Sequence, residues 1–328
     1  MKSTTFEKEI EFYRGLIKEK MKGYNVPRNK GNLILKILLS HCEEGIKISE
    51  EEKAELTRII NQYVSCNASI AISLTMALGM RVPNPLKFKE VVHFPTLAWL
   101  HLAFYFSLLN KKVQTVYSPG VKIFIFEEAT LFGPWIFGMD IKLIEQMLKI
   151  CEYFFKELEA PVEIIKLLPE HFPNEEVEQI EVEITPSQVY AIACSLPSMN
   201  NEEFMQFLYC KRSRDYDELK KISPKIWKEA EEITRKMMKA LTYRKRKKLF
   251  QKLLNDIELI DACVTDKNGR IVFDITSPAL WNHGMPVVRK NPYKMYIIPE
   301  YRIPKEYPEA TPIKINSSYP YTFYYLLA

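Results

Sequence analysis

The chain has 328 residues, room for one large α/β domain or a core with an appendage, and its 47% hydrophobic and 27% charged residues exclude wholesale disorder. A net charge of +5 and a pI near 8.6 are too mild to declare a nucleic-acid binder. Cys42, Cys66, Cys151, Cys194, Cys210 and Cys263 form no C-x-x-C pair and sit mostly among apolar neighbours, which excludes a disulfide framework and places reduced thiols in the cytoplasm.

The amino terminus, MKSTTFEKEIEF, is charged from the start and lacks the apolar core of a secretory signal. The most apolar stretch, Phe94 to Leu109, is broken by His101 and falls short of the roughly 20 residues of a spanning helix, so no membrane partner is expected. Residues 1–80 read as an N-terminal helical layer. Phe6, Ile10, Tyr13 and Ile17 recur at helical steps, Leu33 to Leu39 gives a second apolar segment, and Ser49-Glu50-Glu51-Glu52 is a capping box for a helix from about residue 50. A fourth helix is expected over Ala68 to Met80.

Residues 81–328 read as the core domain. Arg81 to Lys89 carries two prolines that hold the chain extended, and its Lys87 is a candidate for meeting an anion, although loop lysines are more often simply solvated. Pro95 to Asn110 is a helix. His93 and His101 are eight residues apart with no carboxylate or cysteine at ligand spacing, so no metal is expected.

Val113 to Phe137 is the organising stretch. Tyr117-Ser118-Pro119-Gly120 is a turn signal, and Val121 to Phe126 is β-branched and aromatic with little alternation, the pattern of a strand buried on both faces. Glu127 and Glu128 then stand at its carboxyl end, the edge where open α/β sheets hold ligands; the blander reading is a solvated strand end. Phe132-Gly133-Pro134 is expected to turn the chain before an amphipathic helix over Ile141 to Leu158, and Val162 to Leu168 is a second strand. Strand, helix and strand make a crossover unit with a parallel sheet. The fold class is therefore α/β, a Rossmann-like, largely parallel sheet with helices on both faces. G-x-G-x-x-G and Walker fingerprints are absent and no cofactor is expected.

The acidic run Glu175 to Glu183 reads as a solvated face, with short helices near Gln188 and Phe204. Pro224 to Ile260 reads as an interrupted helix. Between Arg235 and Lys252 it holds nine basic residues and no acidic one, with Arg244, Lys245, Arg246, Lys247 and Lys248 consecutive. Such a cluster attracts phosphates, although cations near a helix carboxyl end are also what the helix dipole favours. Ala262 to Ile275 reads as a hairpin turning at Lys267-Asn268-Gly269. Trp281 to Lys290 then gathers an indole, an amide, an imidazole and a guanidinium: His283 suits acid–base work, and Arg289, beside Lys290, suits capture of a carboxylate or phosphate. Short strands are expected at 296–299, 311–315 and 321–327.

A Pro-x-Lys-rich loop, a helix, Tyr117-x-Pro-Gly120, a buried strand, Phe132 with Gly138-Met-Asp140, an amphipathic helix, Pro286-Val-Val-Arg289 and Thr311-Pro312, in this order, resemble the isocyanide (isonitrile) synthases, the tyrosine and tryptophan enzymes also described with pyoverdine, paerucumarin and spore-wall dityrosine formation. The resemblance spans about residues 81–315. It implies a Rossmann-like core and a metal-independent secondary-metabolite biosynthetic transferase that joins an amino acid amine to ribulose 5-phosphate, whose C2 becomes the isonitrile carbon. It carries over to Lys87, Tyr117, Gly120 and Arg289. The family's Ser-Asp-Gly after the buried strand is Glu127-Glu128-Ala129 here, its Leu-Ser-x-His is replaced by Lys290-Asn291-Pro292, and its Trp-His by Ile313-Lys314.

Two functions follow as expectations. In the first, Lys87, Arg289 and Lys290 anchor an anionic partner of an amino acid, such as a sugar phosphate, Glu128 or His283 moves protons, and Tyr117 and Gly120 line the cleft. In the second, the chain takes an acyl group from aminoacyl-tRNA held through Arg244, Lys245, Arg246 and Lys247.

Overall fold

The computed structural model describes residues 4–24, 30–40, 49–76, 97–137, 140–193, 196 and 216–261, together with 264–265, 271–273, 287–290, 294–297, 308, 311–313 and 324–327. Three helices open the chain: α1 (Thr4–Met21), α2 (Lys30–Leu39) and α3 (Glu50–Cys66). The capping box forms as read. Glu52 N–H donates to Ser49 Oγ at 3.1 Å, and Ser49 N–H to Glu52 Oε2 at 2.8 Å. At its other end α3 stops on Asn67 in the left-handed conformation, φ 52°.

The chain then enters a strand, β1 (Ile70–Met76), where a fourth helix is expected from the sequence. Ile70, Ala71, Ile72, Ser73 and Leu74 are all buried. A strand enclosed on both faces and both edges has no polar face, so the period-2 signal that separates strand from helix is lost. The central strand thus comes from the first 80 residues.

The helix α4 (Leu97–Gln114) leads to β2 (Val121–Glu127), then α5 (Ala129–Phe137), α6 (Ile141–Glu157) and β3 (Val162–Lys166). Phe132-Gly133-Pro134 lies inside α5 instead of turning the chain. Glu127 Oε1 accepts the Ala129 N–H at 2.6 Å and so caps the helix, which continues past Pro134. A short β4 (Ile260–Asp261) completes a sheet of order β3-β2-β1-β4, in which every pairing is parallel.

Side chains alternate across this sheet as a pleated strand requires. Ile70, Ile72, Leu74, Val121, Ile123 and Ile125 face a large core with α1, α2, α4 and α6. Ala71, Phe124 and Phe126 face a second core with Ala240 and Tyr243 of α10 (Pro224–Arg246) and Leu249 and Phe250 of α11 (Leu249–Leu253). Between β3 and α10 run α7 (Asn174–Glu178), α8 (Pro186–Ala193) and α9 (Tyr216–Ile222), and α8 packs on the first half of α10 through Val189, Tyr190, Ile226, Trp227 and Ala230. Helices therefore cover both faces, as expected for this class.

The remaining strands form separate sheets. The hairpin expected over Ala262 to Ile275 appears as β5 (Val264–Thr265) paired antiparallel with β6 (Ile271–Phe273). The strands β7 (Val287–Lys290), β8 (Lys294–Ile297), β9 (Thr311–Ile313) and β10 (Tyr324–Leu327) make a mixed sheet of order β8-β7-β10-β9, with β7 and β10 parallel.

Candidate functional site at the carboxyl edge of the parallel sheet

The strand order reverses at β1. The crossovers from β1 to β2 and from β2 to β3 pack α4 and α6 on one face, and the chain returns through α10 and α11 on the other to reach β4 on the far side of β1. Such a reversal opens a crevice at the carboxyl ends of the strands. Met76 and Glu127 end β1 and β2 in register at that edge.

Glu127 and Glu128 divide the work there. Glu127 is fully buried on the α6 side, where its carboxylate caps α5 and, with Glu152 and above all burial itself, pushes the Cys151 thiol well above its ordinary value. Glu128 points to the opposite face. Its Oε1 accepts a hydrogen bond from Arg244 Nη1 at 3.0 Å, with only 15% of the glutamate side chain and 9% of the arginine exposed. Burial pushes the Glu128 carboxyl up and the Arg244 charge offsets only part of that. Arg244 is held from its other side, its Cζ 4.7 Å from the centroid of Phe250, which itself stacks on Phe126 at 3.6 Å. Oε2 of Glu128 has no partner among the described residues. Thr130, in the first turn of α5, donates to the carbonyls of Glu127 and Leu167 and ties the ends of β2 and β3 together.

Of the other residues expected at a site, two are placed away from this edge. Tyr117 and Gly120 stand at the amino end of β2, whose seven residues put about 20 Å between its two ends. The Tyr117 hydroxyl donates to the carbonyls of Tyr63 and Ala68 at 2.9 and 2.7 Å, and Gly120, at φ 67°, closes the turn into β2. Neither meets Glu128. Arg289 and Lys290 lie in β7, paired with Leu326 and Leu327 of β10, and their side chains are outside the described residues. Lys87 and His283 are outside them too.

The basic run is largely engaged with the protein itself. Arg244 is committed to Glu128, Lys247 pairs with Glu176 at 2.9 Å and Lys239 with Glu178 at 2.9 Å. The acidic run read as a solvated face thus docks in part on α10, where Glu178, Glu181, Glu183, Arg235 and Lys239 line a groove of ≈ 590 Å³. Lys245, Arg246 and Lys248 remain exposed. Among the described residues, no three His, Cys, Asp or Glu side chains gather as a metal site, and no helix is long and apolar enough to cross a membrane.

Arg244 is the residue that sequence reasoning assigned elsewhere. A signal for it exists: Ile226, Ala230, Ile233, Met237, Ala240 and Arg244 follow one another at three- and four-residue steps, so this one cation of the five lies on the buried stripe of α10.

No protein-family model matches the sequence, and no curated protein does. Among solved structures, the crystal structure of the PvcA protein from Pseudomonas aeruginosa is similar, with a TM-score of 0.58 over 91% of this chain and 99% of that one at 13% sequence identity. The likeness shows a shared fold.

Proposed function

We propose that the chain is a small-molecule biosynthetic enzyme of the isonitrile-synthase kind, which transforms the amine of an amino acid with an anionic partner such as ribulose 5-phosphate. The observation that carries this reading is Glu128, a mostly buried carboxylate at the carboxyl end of a parallel strand with one oxygen tied to a guanidinium and the other unpartnered among the described residues. An ammonium group must lose a proton before its nitrogen can attack a carbonyl carbon. A carboxylate whose affinity for protons is raised by burial is a competent acceptor at neutral pH.

The remaining roles follow from chemistry. Lys87, Arg289 and Lys290 supply positive charge for the phosphate or carboxylate of the partner, and His283 is a second group able to move protons. Tyr117 and Gly120 hold the turn at the opposite end of β2 and take no part in the chemistry. The fold shared with PvcA and the order of short motifs that resembles the isonitrile synthases support the choice of reaction.

The test is isotope tracing. Purified protein is supplied with each amino acid in turn and with ribulose 5-phosphate labelled at C2, and mass spectrometry follows the label. A labelled isonitrile is expected from one amino acid, with turnover falling at least about a hundredfold in Glu128→Gln. No labelled product from any amino acid overturns the proposed reaction.

A further inference from the structure

We propose that Arg244 is the positioning residue of Glu128: it holds Oε1, and thereby presents Oε2 to the ammonium group of the substrate. The inference rests on the function proposed above and adds to it a residue that the family resemblance does not touch.

The geometry allows Arg244 little freedom. It reaches the carboxylate from the buried stripe of α10, its Nη1 3.0 Å from Oε1, while its guanidinium lies against Phe250. Phe250 is fixed by its stack on Phe126, which lies in β2 two residues before the glutamate. To swing away, the arginine must give up a charge-assisted hydrogen bond and a ring face together. Among the described residues, the carboxylate is thus clamped through one oxygen.

Among the described residues, the charges around the pair are these. Glu128 directly follows Glu127, the last residue of β2, whose Oε1 is turned back to the Ala129 N–H. From α11 it is the ring of Phe250 that meets the pair. At the end of β3 Lys166 is engaged with Glu145 of α6, and on α10 Lys236 lies over the Trp135 ring of α5. Among the described residues, Arg244 is the charge that acts appreciably on Glu128. In the step itself, substrate R–NH3⁺ gives one proton to Oε2, leaving R–NH2 with a free lone pair and Glu128 as a neutral acid. A guanidinium bound to Oε1 keeps the carboxylate ionised until the ammonium arrives, against a burial that favours protonation.

The test separates this inference from the reaction. Protein carrying [δ-13C]glutamate is titrated by NMR, with the Glu128 resonance identified by its loss in Glu128→Gln. Arg244→Met is expected to raise the Glu128 midpoint by about one pH unit or more, a tenfold gain in proton affinity, and to move the acidic limb of kcat/KM by the same amount. Arg244→Gln keeps an N–H donor without the charge and decides the matter if the methionine variant does not fold. Arg244→Lys is expected to return the midpoint most of the way. An unchanged midpoint in the folded charge-removing variant overturns the inference. A shifted midpoint in a protein that makes no labelled isonitrile leaves the pairing standing and removes the reaction.

Discussion

Gly120→Ala separates a substrate-binding glycine from one the fold requires. Gly120 has φ 67°, and an added Cβ would lie 2.3 Å from Asn110 Oδ1 and 3.0 Å from Gln114 Cγ. Asn110 Oδ1 is itself occupied, accepting the Val121 N–H at 3.0 Å at the start of β2. Left-handed backbone costs an alanine about 1–2 kcal/mol, and moving Asn110 orphans a part-buried N–H at about 1–2 kcal/mol more. The sum is about 2–4 kcal/mol. With an unfolding entropy of about 2.1 cal/mol/K per residue, a chain of 328 residues loses about 3–6 °C in Tm. The decisive assay is a double-mutant cycle by thermal unfolding. In an Asn110→Ala background the tighter obstruction is gone, leaving the flexible Gln114 side chain to give by a few tenths of an ångström, and Gly120→Ala should cost little more than the backbone share, about 1–2 kcal/mol, a coupling visible as a smaller drop in Tm. Equal drops in both backgrounds refute the steric argument. A raised KM with Tm unmoved would return Gly120 to the binding role that the family resemblance implies.

Other expectations are more easily checked. Tyr117→Phe removes the hydroxyl that joins the end of α3 to the turn before β2; Tyr63 O keeps the Ala68 N–H, so the loss is close to one hydrogen bond, about 1 kcal/mol, and Tm falls slightly while kcat stays unchanged. Native alkylation followed by peptide mass spectrometry should label exposed Cys66 quickly and buried Cys151 only on unfolding, because burial holds the Cys151 thiol protonated. Binding of tRNA, measured by fluorescence anisotropy, should be weak and fall little when Arg244 or Lys247 becomes alanine, since both are engaged with glutamates; a collapse of tight, salt-sensitive binding in those variants would revive the aminoacyl-transfer reading. The folded chain keeps the Glu128 proton to higher pH than the unfolded chain, whose carboxyl titrates near the ordinary 4.5. This group therefore favours the fold most below that value and progressively less as pH rises toward the folded value, and Glu128→Gln should flatten that part of the Tm profile.

How much of the fold is legible in the sequence depends on whether each element keeps a polar side. α3 announces itself through Ser49 and Glu52, and α6 through a stripe from Ile144 to Phe155 set against exposed charges, because both are half wet. β2 is legible for a different reason, its run of β-branched and aromatic residues behind a turn. β1 has neither signal. Its sequence IAISLTM mixes good helix formers with isoleucines, and its enclosure between β2 and β4 is a tertiary fact that no local pattern carries. The cue that was available is Asn67: a helix capped by a left-handed residue, with an apolar run beginning three positions later, leaves little room for another helix.

The site divides along the same line. Glu128 is legible because it follows a recognisable buried strand, and strand ends are where a parallel sheet exposes side chains to a ligand. Its partner lies 116 residues away, inside a run of cations whose average behaviour is to face water. Reading that run as one unit hides the position that differs. A helix turns about 100° per residue, so five consecutive cations cannot share a face, and the apolar residues before them fix which one points inward. Extending the stripe of Ile233, Met237 and Ala240 by four residues selects Arg244, and a buried arginine requires an acid. The acid stranded at the end of β2 and the cation on the inner face of α10 thus imply each other, and it is this mutual requirement, more than the density of positive charge, that ties the basic helix to the chemistry of the sheet edge.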